Sequence, residues 1–321
     1  MSHPVVSVII PAFRAAQYIG EALSSVFQQT FPDFEVLLVN DGSPDVDDLK
    51  RAIEPYRDGI VYIEQQNRGP GAARNAAISR ARGEFLAFLD SDDVWLPEYL
   101  VEQIGALRAD PTLDFIYADA VLFGHSALAG KTYMTTSPSF GPVTIESLLN
   151  RECMVITTCT MVRRQAVIEA GGFDEDRLLV PCEDLDLWIR LAYNGCRMTY
   201  QRRVLARHRV HANSLVADEL RLWTAQIRVL KKAAETLSLA RSTREKIAAR
   251  IAAAEAEQAL IIGKQCLDQG RFDEALEALS RANSFFRSRK LSAVTRCLRH
   301  APRLLQFTFV VRNRLRVRHR E

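Results

Sequence analysis

The sequence predicts an α/β fold: a mostly parallel sheet flanked by helices, followed by a C-terminal α-helical extension. Three observations carry this. Short apolar runs of strand length alternate with helix-period stretches through the first hundred residues, as right-handed parallel units require. Three of those runs end in polar or special residues: Pro11-Ala12-Phe13, Asn40-Asp41-Gly42-Ser43 and Asp90-Ser91-Asp92-Asp93. Beyond about residue 215, strand and turn signals fade and helical spacing takes over. The expected division is therefore 1–215 and 216–321.

In chain order, Val5–Ile10 is a continuous apolar run stopped by Pro11, which has no N–H to donate to a ladder. Ile19, Leu23, Val26 and Phe27 then recur at helical spacing within 15–29. A strand is expected over 34–39, a helix to about 56, a strand over 60–63, a helix over 71–81 and a strand over 84–89. Ligands of such sheets bind beyond the carboxyl ends of the strands, so the polar strand ends mark the expected site.

Composition sets limits. The chain has 321 residues, 48% hydrophobic and 25% charged, as a folded globular protein does. Six cysteines without metal-site spacing read as buried thiols of a reducing compartment. The strand expected from Val5 leaves no room for a signal peptide, and no apolar run approaches the ~20 residues of a membrane span. The cytoplasm is the expected location. The net charge of +3 conceals an asymmetry: residues 216–321 hold 22 Lys+Arg against 11 Asp+Glu, leaving 20 against 28 elsewhere.

Asp90-Ser91-Asp92 closes the buried run Phe85–Leu89. Carboxylates there are costly unless neutralised, and neighbouring oxygen ligands suit Mg2+ or Mn2+, which in turn hold phosphate. A solvated acidic turn would use the same residues. Asp41 tops a tight turn, where it could accept from a pyrimidine N3–H or cap the next helix. Asn67 to Asn75 is a glycine-containing loop opening a helix, with free N–H groups and Arg74 suited to an anion; a plain turn reads equally well. Further on, Glu183-Asp184-Leu185-Asp186 opens a helix anchored by Leu187, Ile189 and Leu191. Acidic residues in a first turn also complement the helix dipole.

Taken together, Ser7–Pro11, Asn40–Ser43, Ala73-Arg74-Asn75, Leu89–Asp93 and the Glu183-Asp184 element resemble the inverting family 2 glycosyltransferases of the GT-A fold. The resemblance covers roughly residues 4–215. It implies that Pro11, Phe13, Asp41, Asn67, Arg74, Asp90, Ser91 and Asp92 contact a nucleotide-sugar donor, with Asp41 reading uracil. It implies Mn2+ or Mg2+ on Asp92 and Asp90, with His211 completing the shell; His211 lies in the stretch Arg207–Ser214, which is expected to follow a strand and in which Arg209, His211 and Ser214 match the family's Arg-x-His-x-x-Ser pattern. The Glu-Asp element supplies the base: Asp184 first, with Glu183 and Asp186 behind it. One departure is visible, Phe13-Arg14 where many relatives carry Tyr-Asn.

The implied activity is metal-dependent inverting hexosyl transfer from a UDP-sugar to a glycan or lipid-linked glycan, in surface polysaccharide or glycoconjugate synthesis. Two other readings compete. A sugar-phosphate nucleotidyltransferase would want a Gly-rich phosphate loop after the first strand, which Pro11–Ala15 lacks. A non-catalytic donor-fold module would have no need of a base. In the tail, Leu267–Ala282 reads as a helical hairpin. The stretch 296–320 carries eight arginines among Leu304, Leu305, Phe307, Phe309, Val310 and Val311. It suits the inner face of a membrane, a solvated face, a homo-oligomer contact or an anion-binding arm. No nucleic-acid partner is expected, since no binding module accompanies the charge.

Overall fold

The computed structural model describes residues 3–211 and 218–307. Contacts divide the chain into two units, with the break between residues 217 and 218.

The first unit is built on β1 (Val6–Ala12), α1 (Ile19–Phe27), β2 (Phe34–Asp41), α2 (Val46–Ile53), β3 (Ile60–Gln65), α3 (Pro70–Ile78) and β4 (Phe85–Phe88). Then follow β5 (Val94–Trp95), α4 (Tyr99–Ala109), β6 (Phe115–Gly124), α5 (Tyr133–Thr136), α6 (Ile145–Leu149), β7 (Thr160–Arg163) and α7 (Arg164–Glu169). α8 (Glu183–Tyr193) and β8 (Met198–Val210) complete it. One sheet of eight strands has the order β3-β2-β1-β4-β7-β6-β8-β5. β3, β2, β1 and β4 run parallel, and Val8, Ile9, Leu37, Leu38, Phe85 and Leu86 are wholly buried. Strands covered on both faces read as continuous apolar runs, which is why β1, β2 and β4 are legible; β3 buries Ile60 and Ile63 and exposes Val61. β7 lies antiparallel between β4 and β6, and β8 is parallel to β6.

Two expectations need correction. β1 does not stop before Pro11 but continues to Ala12, pairing Pro11 with Val39. The Ile9 carbonyl accepts from Leu89 on the β4 side. Two residues on, Pro11 faces the same way, past the end of β4 at Phe88, where no ladder needs its N–H. Likewise Arg207–Val210 do not follow a strand; they are its last residues.

The chain passes from β1 outward through β2 to β3, then crosses to the far side of β1 for β4. The reversal point therefore lies between β1 and β4, and the crevice beyond their carboxyl ends lies next to Asp90.

The second unit holds α9 (Glu219–Thr236), α10 (Arg241–Asp268), α11 (Phe272–Phe286) and α12 (Arg289–His300). α10 and α11 form the expected hairpin around Gly270, at φ +75°. Cys266, Leu267, Ala275, Leu279 and Leu298 form its core. A Cβ on Gly263 would meet Leu279 at 2.6 Å, so the hairpin's close approach depends on that glycine. All six cysteines are free thiols; four are buried, while Cys196 and Cys297 are half-exposed, contrary to the expectation for those two.

Candidate active site

Asp41 ends β2 with its side chain 3% exposed. Its Oδ1 accepts from Gln65 Nε2 at 2.7 Å and from the Arg68 N–H at 2.9 Å; Oδ2 accepts from the Gly69 N–H at 2.8 Å. It caps no helix; Asp45 stands at the start of α2. The anion that the glycine loop holds is thus the chain's own Asp41. A carboxylate has about four acceptor sites, so roughly one remains on Oδ2. Gly42 makes the turn possible, at φ +66° and with its Cβ position 2.6 Å from the Asn67 nitrogen. Asn67 Oδ1 accepts from Arg177 at 2.9 Å. Beside this pocket Phe13 is 45% exposed, with the Arg14 guanidinium 5.4 Å from its ring.

At the end of β4 the chain turns through Asp90, Ser91, Asp92 and Asp93. Asp93 is fully buried and receives His208 Nδ1 at 2.9 Å and the Arg209 N–H at 2.7 Å. The Asp92 carboxylate meets His211 Nε2 at 2.9 Å, and its carbonyl accepts from Arg209 Nε at 2.8 Å. Tyr18 stacks on His211, ring centroids 5.4 Å apart, and Arg209 lies 4.6 Å over Tyr18. The end of β8 is thereby fastened to the acidic turn. Ser91 is half-buried on the turn between the two carboxylates. Ser214 lies outside the described residues.

Charge is crowded here. Burial, then Asp93 and Asp90, push the Asp92 carboxyl up to about 6, against the hydrogen bond from His211. At His208, burial opposes the proton, but Asp93, with Asp90 and Asp92 behind it, more than offsets this and the pKa rises to about 9.

Arg74 is buried within α3, one turn beyond the glycine loop. It lies on the buried face of α3, donating Nη2 to Asp90 Oδ1 and Nη1 to Glu183 Oε1, both at 2.8 Å. Phe173 covers it at 5.3 Å. Gly71, one turn earlier, lets α3 approach the Asp174 carbonyl, which a Cβ would meet at 2.6 Å.

α8 opens on Glu183 and is held by the buried Leu187, Trp188, Ile189 and Leu191. Its three acidic residues separate by partner. Glu183 is 4% exposed and bound to Arg74; Asp186 is equally buried and accepts from Arg190 at 2.8 Å, one turn along the helix. Asp184 is half-buried, with Oδ2 accepting from Thr157 Oγ1 at 2.7 Å and Oδ1 from the Leu185 N–H at 2.7 Å. Burial raises Asp184 above the ordinary carboxylate range; Thr157 and Arg74 pull it back, and Asp90 adds to the rise.

The structure thus brings Asp90 and Asp92 together with His211, and reaches Glu183 through Arg74. Asp41, Asn67 and Phe13 lie around the β2 end and the loops beside it. Sequence reasoning missed Asp93, His208, Thr157 and Thr158 as members of this network. Only Asp93 carried a signal, as the third carboxylate of its run.

Residues 7–171 match the family model described as "Glycosyl transferase family 2". An uncharacterized glycosyltransferase of Rickettsia prowazekii is 30% identical over 241 residues, covering 71% of this chain and 73% of that one. In three further Rickettsia relatives the matched region spans only 30–35% of the longer chain. Two solved structures share the fold. Staphylococcus aureus TarS 1–349 in complex with UDP gives TM-score 0.62 at 19% identity, over 95% of this chain and 88% of that one. The mannosyltransferase PcManGT of Pyrobaculum calidifontis with GDP-Man and Mn2+ gives 0.61 at 20%, over 97% and 86%. With the parallel β3-β2-β1-β4 half, the acidic strand ends and the family match in agreement, the chain belongs to glycosyltransferase family 2 and has the GT-A fold.

Proposed function

We propose that this glycosyltransferase is metal-dependent and inverting, moving a hexosyl group from a UDP-linked donor to a hydroxyl of a glycan or lipid-linked glycan. The observation that carries the reading is Asp184, half-buried, with its Oδ2 held by Thr157 Oγ1 at 2.7 Å and its carboxyl raised by burial and by Asp90. In an in-line displacement the acceptor oxygen bonds to the anomeric carbon as the bond to the diphosphate oxygen breaks. UDP leaves with that electron pair, and Asp184 takes the acceptor proton. A raised pKa brings such a base nearer the working pH. Glu183 and Asp186 are less suited, being committed to Arg74 and Arg190.

Asp92 and Asp90, with His211 against the Asp92 carboxylate at 2.9 Å, would supply part of the shell of a divalent cation. The carboxyl of Asp92, raised to about 6 by burial and its acidic neighbours, marks a cluster short of positive charge. Among the described residues no three His, Cys, Asp or Glu side chains form a ready metal cage. Diphosphate oxygens would then complete the shell, as hard cations prefer. When bound, the ion neutralises charge developing on the leaving group. The Mn2+ and UDP named with the two similar structures support this reading. Asp41, Asn67, Phe13 and Pro11 would line the nucleotide pocket, with Ser91 between the metal carboxylates.

For the second unit we propose reversible attachment to an anionic inner-membrane surface, from the cytoplasmic side. Residues 278–320 hold 12 Lys+Arg and no acid. Within them Leu304 and Phe307 are 63% and 67% exposed. Phe309, Val310 and Val311 lie outside the described residues. Among the described residues no helix is long and apolar enough to cross a membrane. A surface-polysaccharide or glycoconjugate pathway would use an enzyme so placed.

The test is UDP release from a panel of UDP-sugars with Mn2+, repeated in excess EDTA and with Asp184→Asn. Release should stop in EDTA, and Asp184→Asn should lose ~100- to 10,000-fold while UDP affinity stays near wild type. Full turnover in either case, or a product whose NMR coupling shows retained configuration, overturns the mechanism.

A further inference from the structure

Two bridges join the acidic turn after β4 to the start of α8. Arg74 is one, between Asp90 and Glu183. The second is a pair of adjacent threonines on a 3-10 turn over Thr157–Cys159. Thr157 Oγ1 donates to Asp184 Oδ2 at 2.7 Å, while Thr158 Oγ1 accepts from the Asp90 N–H at 3.2 Å. The Thr158 carbonyl is itself held by Trp95 Nε1 at 2.7 Å. Both threonines are buried, at 6% and 0% exposure. Following the bonds gives a closed ring: Asp90, Arg74, Glu183, its neighbour Asp184, Thr157, its neighbour Thr158, and Asp90 again.

We propose that Thr157 is a positioning residue for transfer: its hydroxyl aims the Asp184 carboxylate and, through Thr158, fixes its spacing from the diphosphate-binding turn. The inference rests on Asp184 being the base. Position matters because misplacing a reacting group by about 1 Å can cost on the order of 100-fold. Protonation matters as well. A hydroxyl donating to a carboxylate favours its charged form, and Asp184 needs that form to accept a proton.

The other charges around Asp184 are fixed by the same structure. Arg74 favours its ionisation, and Asp90 opposes it. Glu183, next to it, is itself raised by burial, with Arg74 working against the rise and Asp184 adding to it. Tyr133 is pushed up to about 12 by burial and then by Asp184, with Arg151 acting in the opposite sense. The Cys182 thiol is likewise raised, by burial first and Asp184 second. Both stay neutral at working pH; the side chains that most favour the Asp184 anion are Thr157 and then Arg74.

Thr157→Val keeps the shape and removes the hydroxyl; Thr157→Ser keeps the hydroxyl. UDP release with Mn2+, from whichever UDP-sugar turns over, is followed against pH for both variants and for Asp184→Asn. Carbon-13 carboxyl NMR, assigned with Asp184→Asn, reads the Asp184 titration directly and needs no substrate. For Thr157→Val we expect kcat down about 10- to 100-fold, KM for the donor within about twofold, and the acidic limb moved to higher pH. The NMR titration should move upward with it. Thr157→Ser should restore most of kcat and the wild-type limb.

An unmoved Asp184 titration in Thr157→Val, or Thr157→Ser as impaired as Thr157→Val, overturns the proposal. The outcomes separate two failures. An active Asp184→Asn removes the base assignment itself. An inactive Asp184→Asn beside a normal Thr157→Val removes only the role of Thr157.

Discussion

Replacing Arg74 by methionine should destabilise the first unit more than any surface change, and in a way that depends on pH. The side chain is 5% exposed and bridges two carboxylates at 2.8 Å. Burial opposes its charge, but Asp90 and Glu183 more than offset this and hold its pKa above the ordinary value. Removing one partner of a buried pair costs ~3–5 kcal/mol, because the remaining charge is stranded. The stranded group here is Glu183, whose side chain is 6% exposed; Asp90, at 32%, can turn to water. At ~2–4 °C per kcal/mol for a unit of this size, the melting temperature should fall by roughly 6–20 °C at pH 8. Burial already raises Glu183 above its ordinary value, and losing Arg74 raises it further. A carboxyl whose folded pKa is raised regains stability as pH falls, since the folded state then binds the extra proton. The deficit should therefore shrink between pH 8 and pH 5, followed by differential scanning fluorimetry. Adding Glu183→Gln to Arg74→Met should recover at least half of it, because a neutral pair strands no charge. A deficit below about 1 kcal/mol, one independent of pH, or a double variant no better than the single would refute the argument.

Two further predictions follow from charge. In the metal-free protein His208, ordinarily near 6.5 and raised to about 9 by Asp93 against burial, contributes stability in full below pH 6.5 and loses it as pH rises through about 9. That contribution is on the order of 3 kcal/mol, so His208→Gln should flatten the fall in melting temperature over this window; an equal slope in both proteins refutes it. In the second unit, Leu304→Glu with Phe307→Glu should reduce co-sedimentation with anionic vesicles at low salt, the basic residues adding about 1 kcal/mol each near such a surface. These substitutions are preferable to truncation at residue 295, which would remove Leu298 from the core. Equal pelleting of variant and wild type, or no pelleting of either, makes the tail a packing or oligomer contact instead.

What was legible in the sequence follows from how far each signal reaches along the chain. β1, β2 and β4 are buried on both faces, so their apolar runs stand out locally. β5 has two residues and β7 four. Each exists through a partner distant in sequence: Trp95 pairs with Ala206, and Met161 with Ala87. No local periodicity announces such a strand. The acidic strand ends were readable because charge directly after a buried run is costly and so demands a reason. Thr157 and Thr158 carried no comparable signal, being neutral hydroxyls on a short 3-10 turn that find their partners only when α8 and the β4 end converge.

The choice among Glu183, Asp184 and Asp186 turns on helix geometry. Consecutive residues of an α-helix point about 100° apart, so Glu183 and Asp184 take different hydrogen-bond partners. One turns inward to Arg74 and the other toward Thr157 and the cleft. The sequence did hold the clue to the partner of Asp186: Arg190 stands four residues on, the spacing at which acid and base pair on one helix face. The Arg74 reading lacked any such clue. An arginine after a glycine loop suits a ligand's anion and a buried carboxylate pair equally well. Only the packing of α3, brought close by Gly71, shows that Arg74 spends its charge on the protein itself. A guanidinium shared between the acidic turn after β4 and the start of α8 holds the two at one spacing, so a lysine there, as a single point charge, should restore the charge without restoring the bridge.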